Sequence, residues 1–569
     1  MTSATLNIPA TNKPFPQFSR PKSHWTAVLL ILLLAFVLRL VCTLAFTGTI
    51  DTEGAEYARI AENVLKGNGY TGIATEGPQL LFPPLYPLSI AALSLIIGDA
   101  EMAGRTLSLM MGSLLVIPVF FIALHMYGVM VARTAAILVA THPLLIRYSA
   151  TVYCEATYMT LLAFAVLAAV LVSRHASLRI LLALGVILGL AYLVRPEALM
   201  IMVLVSILLA ISQVVVHRES VVSVVGRFSI IPVTFIVIAL PNVIWLYEQT
   251  GTPRFEGKIP VNFSIVKAIE EGHGPETQFG VDSDLTERGI WLKPNLATIN
   301  TTNIDFSELL EYAVRKSNDV VEHAVRVFAG DSAYGSPPLF AFAFLGLFAA
   351  PWNRELTLFQ LIFLSIFAVC VAATIFIYYQ SVRFYLTSLP FACIWAAAGI
   401  AAVAQWAAGT VMAWSRDMKW RAVARALAVA VSVAIVIACS ASVELRDFAA
   451  FDSDMVAIRH AGEWLRENAA EPLNVVDTTA ELAFHAGAAF TPFPMCDEST
   501  AMRFFDKRGV SHIVLRENQT DKRPYLKIWS LSGIPSRQAK LVHRDQTKDG
   551  ATFAIYQWTP SNTSQPANK

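Results

Sequence analysis

The chain is poor in charged side chains. Only 15% of its 569 residues are Asp, Glu, Lys or Arg, whereas soluble globular proteins contain about 25%. Hydrophobic residues make up 55% of the chain, and the mean hydropathy is +0.54. This composition excludes an ordinary soluble protein and predicts a polytopic membrane protein. The formal net charge of +1 indicates little, because the charges are unevenly distributed.

Cysteine pairs, metal-binding spacings and internal repeats are also lacking. Five of the six cysteines lie in or beside apolar runs, and no pair has zinc-site spacing. Cys496 is the single cysteine in a polar region, so the C-terminal region cannot form an internal disulfide. No repeated halves or low-complexity tracts are evident, which argues against inverted-repeat transporters. No cleavable signal peptide is predicted, because residues 1–24 are polar and the next apolar run has the length of a span.

Long hydrophobic runs dominate what is present. Runs of about 17–24 apolar residues predict about 11 transmembrane helices. They cover residues 25–47, 103–126, 129–148, 154–173, 178–194, 197–216, 228–247, 337–351, 357–379, 385–409 and 424–442. Residues 83–97 are apolar but short and begin with two prolines, which is typical of a re-entrant or interfacial segment.

The distribution of Lys and Arg predicts the orientation. Alternate flanks are short, poor in acid and rich in cations, so the positive-inside rule assigns them to the cytoplasm. These cations are Lys13, Arg20, Lys22, Arg133, Arg174, Arg179, Arg218, Arg227, Arg354, Arg416, Lys419, Arg421 and Arg425. The loops 48–102 and 248–336 and everything after Val443 are then predicted to be extracytoplasmic.

Three regions follow from this topology: a cytoplasmic segment 1–24, a transmembrane domain 25–442 and an extracytoplasmic domain 443–569. Loop 48–102 contains apolar residues at helical spacing, which predicts an amphipathic surface helix ended by Gly67–Gly69. Alternating helix and strand patterns predict a small C-terminal α/β domain. Its predicted elements are helices Asp454–Glu467, Glu481–Ala486 and Thr500–Lys507 and strands Leu473–Val476 and His512–Leu515; residues 561–569 are predicted to be a disordered tail.

Acidic residues gather just after the first span. Asp51, Glu53 and Glu56 lie within six residues, and Glu155 begins the fourth span on the same predicted side. Such acids could simply be solvated residues of a loop or of the membrane interface, placed where a carboxylate interacts favourably with the dipole at a helix N-terminus. A carboxylate there could instead accept the proton of an attacking hydroxyl.

Three arginines depart from the positive-inside trend. Arg147, Arg195 and Arg383 map to predicted extracytoplasmic turns. They could pair with Glu155, Glu197 or lipid headgroups, or their guanidinium groups could bind a phosphate. Arg383 is the best phosphate candidate, because no acid lies near it in sequence.

Other motifs carry no chemistry. Residues 67–72 match G-x-G-x-x-G but lack the strand–turn–helix context of a dinucleotide site. Gly185 and Gly189 have the spacing of a helix-packing motif. The sequence requires no cofactor and indicates no nucleic-acid binding. Carboxylates alone can hold a divalent metal, but nothing else in the sequence argues for one.

These residues together resemble the GT-C membrane glycosyltransferases, in particular the group of protein mannosyltransferases and lipid A aminoarabinose transferases. In that group an acid after the first span stands four residues before a tyrosine, here Glu53 and Tyr57. Four further features follow in order. The first two are a Gly-x-Gly turn, here Gly67–Gly69, and a Pro-Pro-x-x-Pro stretch, here Pro83–Pro87 with Tyr86. The last two are an acid that opens the fourth span, here Glu155, and an Arg-aromatic pair before a Pro-containing span, here Arg383 with Tyr385 and Pro390. The resemblance covers about residues 25–410.

The resemblance implies inverting transfer of a sugar from a polyprenyl-phosphate carrier to a hydroxyl acceptor in the cell envelope. The implied location is the inner or plasma membrane, in contact with membrane lipids, with an extracytoplasmic active site. Glu53 is then the expected base, Asp51 the second choice and Glu155 a helper. Arg383, Arg195, Arg147, Tyr57, Tyr86 and Tyr385 are the candidate substrate-binding residues.

Two departures from the group's pattern matter. The group's acid is usually Asp, often followed by Glu, whereas here Glu53 precedes Gly54. Aminoarabinose transferases carry an acidic–basic pair before the two prolines; Leu81 and Phe82 stand there instead, which argues against aminoarabinose as the sugar.

The main alternative function is a transporter or flippase of lipid-linked or small polar substrates. A third is an assembly protein whose C-terminal domain carries the function.

Overall fold

A computed structural model describes residues 24–48, 50–74, 77–293, 306–329, 337–414, 417–517, 523–547 and 551–560. The predicted cytoplasmic segment, apart from its last residue, and the predicted C-terminal tail lie outside these residues.

Helices make up most of the membrane region. Their bounds are α1 Trp25–Ala45, α2 Thr52–Leu65, α3 Leu85–Ile97, α4 Ala100–Leu114, α5 Val116–Tyr127, α6 Val129–Thr141, α7 Pro143–Ala150, α8 Glu155–Arg174, α9 Leu178–Tyr192, α10 Ala198–Val215, α11 Val221–Phe228, α12 Ile230–Thr250, α13 Lys258–Glu270, α14 Gly274–Phe279, α15 Phe306–Ala329, α16 Pro337–Phe348, α17 Arg354–Ala373, α18 Leu389–Trp414 and α19 Met418–Asn468. Within the described residues, eight helices are long and apolar enough to cross a membrane, or nine if the bent pair α6–α7 is one span. The shorter apolar helices α9 and α16 fall on the two other predicted spans, so the helical membrane architecture agrees with the sequence pattern.

The span formed by α6 and α7 bends by 51° at His142. Such a break leaves carbonyl groups without intrahelical donors. Arg39 of α1 is fully buried and donates to the carbonyls of Val139 (3.2 Å) and Ala140 (3.0 Å) at the end of α6. Its Nε also donates to Ser149 Oγ of α7 at 3.2 Å. One guanidinium group therefore bridges both halves of the broken span.

Small residues allow neighbouring spans to approach closely. A Cβ added to Gly185 or Gly189 of α9 would collide with Thr234 or Ile238 of α12. The sequence-based interpretation of these two glycines as a helix-packing motif is confirmed.

The predicted surface helix of loop 48–102 is α2, and the Pro-Pro segment continues into the short helix α3. The Asp51 side chain caps α2 by accepting from the Gly54 amide at 2.9 Å. The apolar face of α2 packs into the hydrophobic core together with residues of α3 and α4, so it lies on protein. This packing fixes the position of the acidic first turn of α2.

The C-terminal domain is a five-stranded mixed sheet with helices. Its further elements are β1 Asn474–Asp477, α20 Glu481–His485, β2 Ala489–Pro492, α21 Glu498–Arg508, β3 His512–Arg516, α22 Pro524–Ser532, β4 Ala539–Gln546 and β5 Thr552–Trp558. The strand order is β2-β1-β3-β5-β4, with β1 parallel to β2 and β3, and β5 antiparallel to its neighbours. The predicted α/β character is correct, but β2, β4 and β5 were not predicted.

One predicted boundary is wrong. Residues 454–467 were expected to form a separate helix, but they are the end of α19, which runs 51 residues from the last span into the C-terminal domain. Nothing in the sequence breaks it, because residues 440–453 contain neither proline nor glycine.

The C-terminal domain docks on α2 and on the segment before it. Thr52 Oγ1 donates to Glu481 Oε1 at 2.8 Å, and the Gly48 amide donates to Asp452 Oδ1 at 2.7 Å. Arg59 of α2 donates to the carbonyls of Phe484 and Ala488. The helix that carries the acidic cluster is therefore held between the membrane bundle and the C-terminal domain.

Candidate active site

Three of the predicted residues form one ion-pair cluster. Arg383 Nη2 donates to Glu53 Oε2, and Arg383 Nε lies 3.2 Å from Glu155 Oε1. The Glu155 side chain is only 2% exposed, whereas that of Glu53 is 16% exposed. These residues are separated by up to 330 positions in sequence, and the fold brings them together at the end of the spans.

Arg195 extends the cluster on the far side of Glu155. Its Nη1 lies 3.5 Å from Glu155 Oε1, and its Nη2 donates to Glu197 at 2.8 Å. Two arginines thus alternate with three glutamates. Among the described residues nothing donates to Glu155 Oε2, although this atom is buried. A buried acceptor without a donor is costly unless a ligand supplies one.

Local structure positions each of these groups. The cap at Asp51 places Glu53 in the first turn of α2, and Tyr57, one turn later, donates to Glu53 Oε1 at 2.8 Å. Arg383 lies in a short 3-10 helix, Val382–Ser388, that leads into α18. Glu155 occupies the first turn of α8. Each group therefore stands at the start of a helix.

The two candidate bases have opposite electrostatics. Burial alone would raise the pKa of Glu53, but Arg383 and Lys258 outweigh it and hold that pKa well below its usual range. Burial raises the pKa of Asp51 to about 6, although Arg383 and a hydrogen bond from Tyr153 act against it. In the free protein, Glu53 is therefore the stronger acid and Asp51 the more basic carboxylate.

Glu56, the third acid of the sequence cluster, stabilises the local fold. It is buried and accepts from the amides of Ile73 and Ala74, both at 2.9 Å, and from the Gln79 side chain. It thereby holds the turn that follows α2 and does not join the ion-pair cluster.

The remaining predicted substrate-binding residues lie in other surroundings. Arg147 donates to Glu444 of α19 at 2.8 Å and so contacts a different acid from the cluster. Tyr86 is fully buried, bonded to Ser108 at 2.9 Å, and packs edge-on against Tyr57. Tyr385 is also fully buried, and its ring packs against Phe328. Two of these three side chains are therefore enclosed in protein.

Two further residues adjoin the cluster. Glu197 closes the ion-pair chain by pairing with Arg195, which was one of the alternatives left open by the sequence, whereas Lys258 was not predicted. Lys258, at the start of α13, lies over the ring of Phe82 at 4.6 Å from its centre and lowers the pKa of both Glu53 and Glu197. Lys258 makes no ion pair within 4 Å among the described residues. Its only sequence signal is its place in an unusually long loop.

Within the described part of the chain, no group of three or more His, Cys, Asp or Glu could hold a metal ion. The cluster itself consists of carboxylates beside cations. Such a site can accept a proton and bind a phosphate.

The fold of the chain is similar to that of several solved structures. The oligosaccharyltransferase of Archaeoglobus fulgidus in its apo form aligns with 96% of this chain and 76% of its own, at 14% identity and a TM-score of 0.55. ArnT from Cupriavidus metallidurans, solved with undecaprenyl phosphate, aligns over 94% and 98% at 13% identity and a TM-score of 0.51. AglB from A. fulgidus, solved with an inhibitory peptide and a dolichol-phosphate, aligns over 96% and 75% at 14% identity and 0.54. No protein of curated function matches the chain.

These similarities show the fold alone, a polytopic helical membrane fold of the type expected from the sequence. The family model for dolichyl-phosphate-mannose-protein mannosyltransferases matches residues 82–245. The matched segment is less than a third of the chain, and it agrees with the resemblance that the sequence motifs indicated.

Proposed function

We propose that the protein is an inverting glycosyltransferase that moves a sugar from a polyprenyl-phosphate carrier to a hydroxyl group in the cell envelope, on the extracytoplasmic face of the membrane. The observation that carries this proposal is the alternating cluster of Glu53, Arg383, Glu155, Arg195 and Glu197. It combines a proton acceptor with phosphate-binding cations within one small volume.

The donor class is supported by the cations and by the structural neighbours. Arg383, Arg195 and Lys258 lie on the sides of the acidic cluster, and guanidinium groups match the geometry of a phosphate. ArnT and AglB were solved with undecaprenyl phosphate and a dolichol-phosphate. A lipid carrier would reach these cations laterally from the bilayer.

The ion pair between Arg383 and Glu53 suggests how the base becomes active. The phosphate of the donor competes with Glu53 for the guanidinium group of Arg383. Loss of that partner raises the pKa of Glu53, because burial then acts with less opposition. Donor binding and activation of the base are thereby linked.

The transfer step follows from these positions. Glu53 accepts the proton of the acceptor hydroxyl while its oxygen bonds to the anomeric carbon. The bond between that carbon and the phosphate oxygen breaks, and polyprenyl phosphate leaves with the electron pair. Arg383 and Lys258 stabilise the charge that develops on this phosphate. The open oxygen of Glu155 accepts a hydrogen bond from a sugar or acceptor hydroxyl.

The membrane side rests on the distribution of cations. The cation-rich flanks lie at the ends of the spans opposite to Glu53, which favours an extracytoplasmic site. At that face nucleotide sugars are absent, so a lipid-linked donor fits the location. The division into segment 1–24, catalytic domain 25–442 and domain 443–569 is proposed on the same grounds, with α19 crossing the last boundary.

The direct test is transfer from a labelled polyprenyl-phosphate sugar in membranes. Replacement Glu53→Gln should lower the rate about 10²–10⁴-fold, the usual contribution of a general base. Arg383→Ala should raise the donor KM as well as lower kcat, since it removes a phosphate contact and a transition-state contact. Glu248→Gln, an exposed acid at the end of α12, is the matched control and should leave transfer unchanged. Unaltered transfer in Glu53→Gln would show that another group is the base.

A further inference from the structure

A polar cavity lies away from the ion-pair cluster. It has a volume of about 240 Å³ and lies between α2, the turn after it, the segment 291–293 and the edge of the C-terminal sheet. Its walls include Trp291 and Phe490, and its other side is β2, the edge strand of the sheet. An edge strand presents backbone groups that are free to bond to a ligand.

All charged side chains that line this cavity in the described residues are cations: Arg59, Lys293 and Arg508. Arg508 is paired with Glu287, which also forms an ion pair with Lys507 at 3.5 Å. Lys293 makes no ion pair among the described residues. The cavity therefore has cationic side chains, and no carboxylate, among its described lining residues.

Arg59 is one of these cations. Its two terminal nitrogens are bonded to backbone carbonyls, and its nearest carboxylate, Glu62, lies 3.5 Å from Nε and is shared with Lys66. Burial lowers the pKa of Arg59, although Glu62 and Glu56 act against it. An anion in the cavity would also act against it.

We propose that this cavity binds an anionic sugar unit of the acceptor, with a phosphate or carboxylate against Lys293 and Arg59 and the sugar ring between the aromatic walls. Arg59 belongs to α2, the same helix as Glu53, so a ligand held here is fixed relative to the reactive centre. The assignment of the ligand to the acceptor rests on the proposed transfer reaction; the binding of an anion does not.

Inorganic phosphate is the probe for the anion. Thermal unfolding of the purified full-length protein in detergent is followed against phosphate concentration, with chloride at equal ionic strength as reference. Because phosphate can also bind at Arg383, every variant is measured with and without Arg383→Ala. Lys293→Gln removes the cavity cation, and Lys527→Gln, an exposed lysine on α22, is the matched control.

Phosphate should raise the unfolding temperature in the Arg383→Ala background and equally in its Lys527→Gln derivative. Lys293→Gln should raise the half-saturating phosphate concentration roughly tenfold, and Lys293→Arg should restore it. An equal phosphate response in Lys293→Gln and Lys527→Gln, or no response once Arg383 is replaced, overturns the anion site.

Transfer kinetics separate this inference from the proposed function. Lys293→Gln should raise the amount of acceptor membrane needed for half-maximal transfer, with the donor KM unchanged. A change in donor KM alone would contradict an acceptor site. If Glu53→Gln left transfer intact while stabilisation by phosphate still depended on Lys293, the anion site would be supported and the proposed mechanism would be wrong.

Discussion

At the scale of single residues, the site is defined by competition for one guanidinium group. Arg383 contacts both Glu53 and Glu155, so neither carboxylate is free in the substrate-free protein. The motifs of the sequence indicated these three residues, because each stands beside a recognisable turn or span boundary. Pairing of the arginines with Glu155 or Glu197 was an alternative that the sequence left open, but the contact between Arg383 and Glu53 was not predicted, because the two residues are 330 positions apart. Lys258 was not predicted, because its neighbours come from distant segments.

The choice between Glu53 and Asp51 as base can be tested by pH. The pKa of Glu53 lies well below its usual range, so Glu53 stays ionised throughout the range from pH 5 to 7. Asp51, with a pKa raised to about 6, takes up a proton as the pH falls through this value. With Glu53 as base, kcat/KM for transfer should be constant between pH 5 and 7.

An acid limb in that profile with a midpoint near pH 6 would contradict this expectation. If the limb disappeared in the residual activity of Asp51→Asn, the base would be Asp51. The comparison needs only initial rates at low donor concentration in buffers of equal ionic strength.

At the scale of elements, hydropathy predicted the spans well but not their breaks. Periodicity and apolar length locate a helix, whereas a bend depends on which side chain satisfies the freed carbonyls. Arg39 supplies these hydrogen-bond donors at the α6–α7 break. The sequence does not indicate the partners of a lone arginine inside an apolar run. The strand β4 was missed because it is largely polar and exposed, as expected at a sheet edge.

Replacement of Arg39 tests this account of the broken span. Arg39→Leu leaves the carbonyls of Val139 and Ala140 without their donors, and each buried unsatisfied group costs about 1–3 kcal/mol. The unfolding temperature in detergent should therefore fall by several degrees, with an intermediate value for Arg39→Lys. Leu44→Ala on the exposed side of α1 is the control. An unchanged unfolding temperature in Arg39→Leu would show that the break is stabilised by other groups.

At the scale of the whole molecule, the C-terminal domain is connected to the acidic cluster through α2. Thr52 stands between the two candidate bases and bonds to Glu481 of α20 at 2.8 Å. The sequence predicted both the domain and the helix, but their contact depends on the continuous helix α19, whose length was not predicted. The domain is thus part of the surroundings of the site, in addition to any role in binding the acceptor.

A conservative pair of variants tests this connection. Thr52→Val removes the hydroxyl that donates to Glu481, whereas Thr52→Ser keeps it. Because one hydrogen bond contributes about 1 kcal/mol, Thr52→Val should lower kcat about fivefold with the donor KM unchanged. Thr52→Ser should retain the parental kcat. Equal kcat in the two variants would show that the domain does not influence the first turn of α2.

The contact between Thr52 and Glu481 also has a consequence for biogenesis. The two residues are 429 positions apart, and ribosomes add about 5–20 residues per second. Thr52 therefore leaves the ribosome tens of seconds before its partner is synthesised and translocated. We expect the nascent chain to hold the acidic helix without its final support during this interval, so that full activity is reached only after the C-terminal domain has docked.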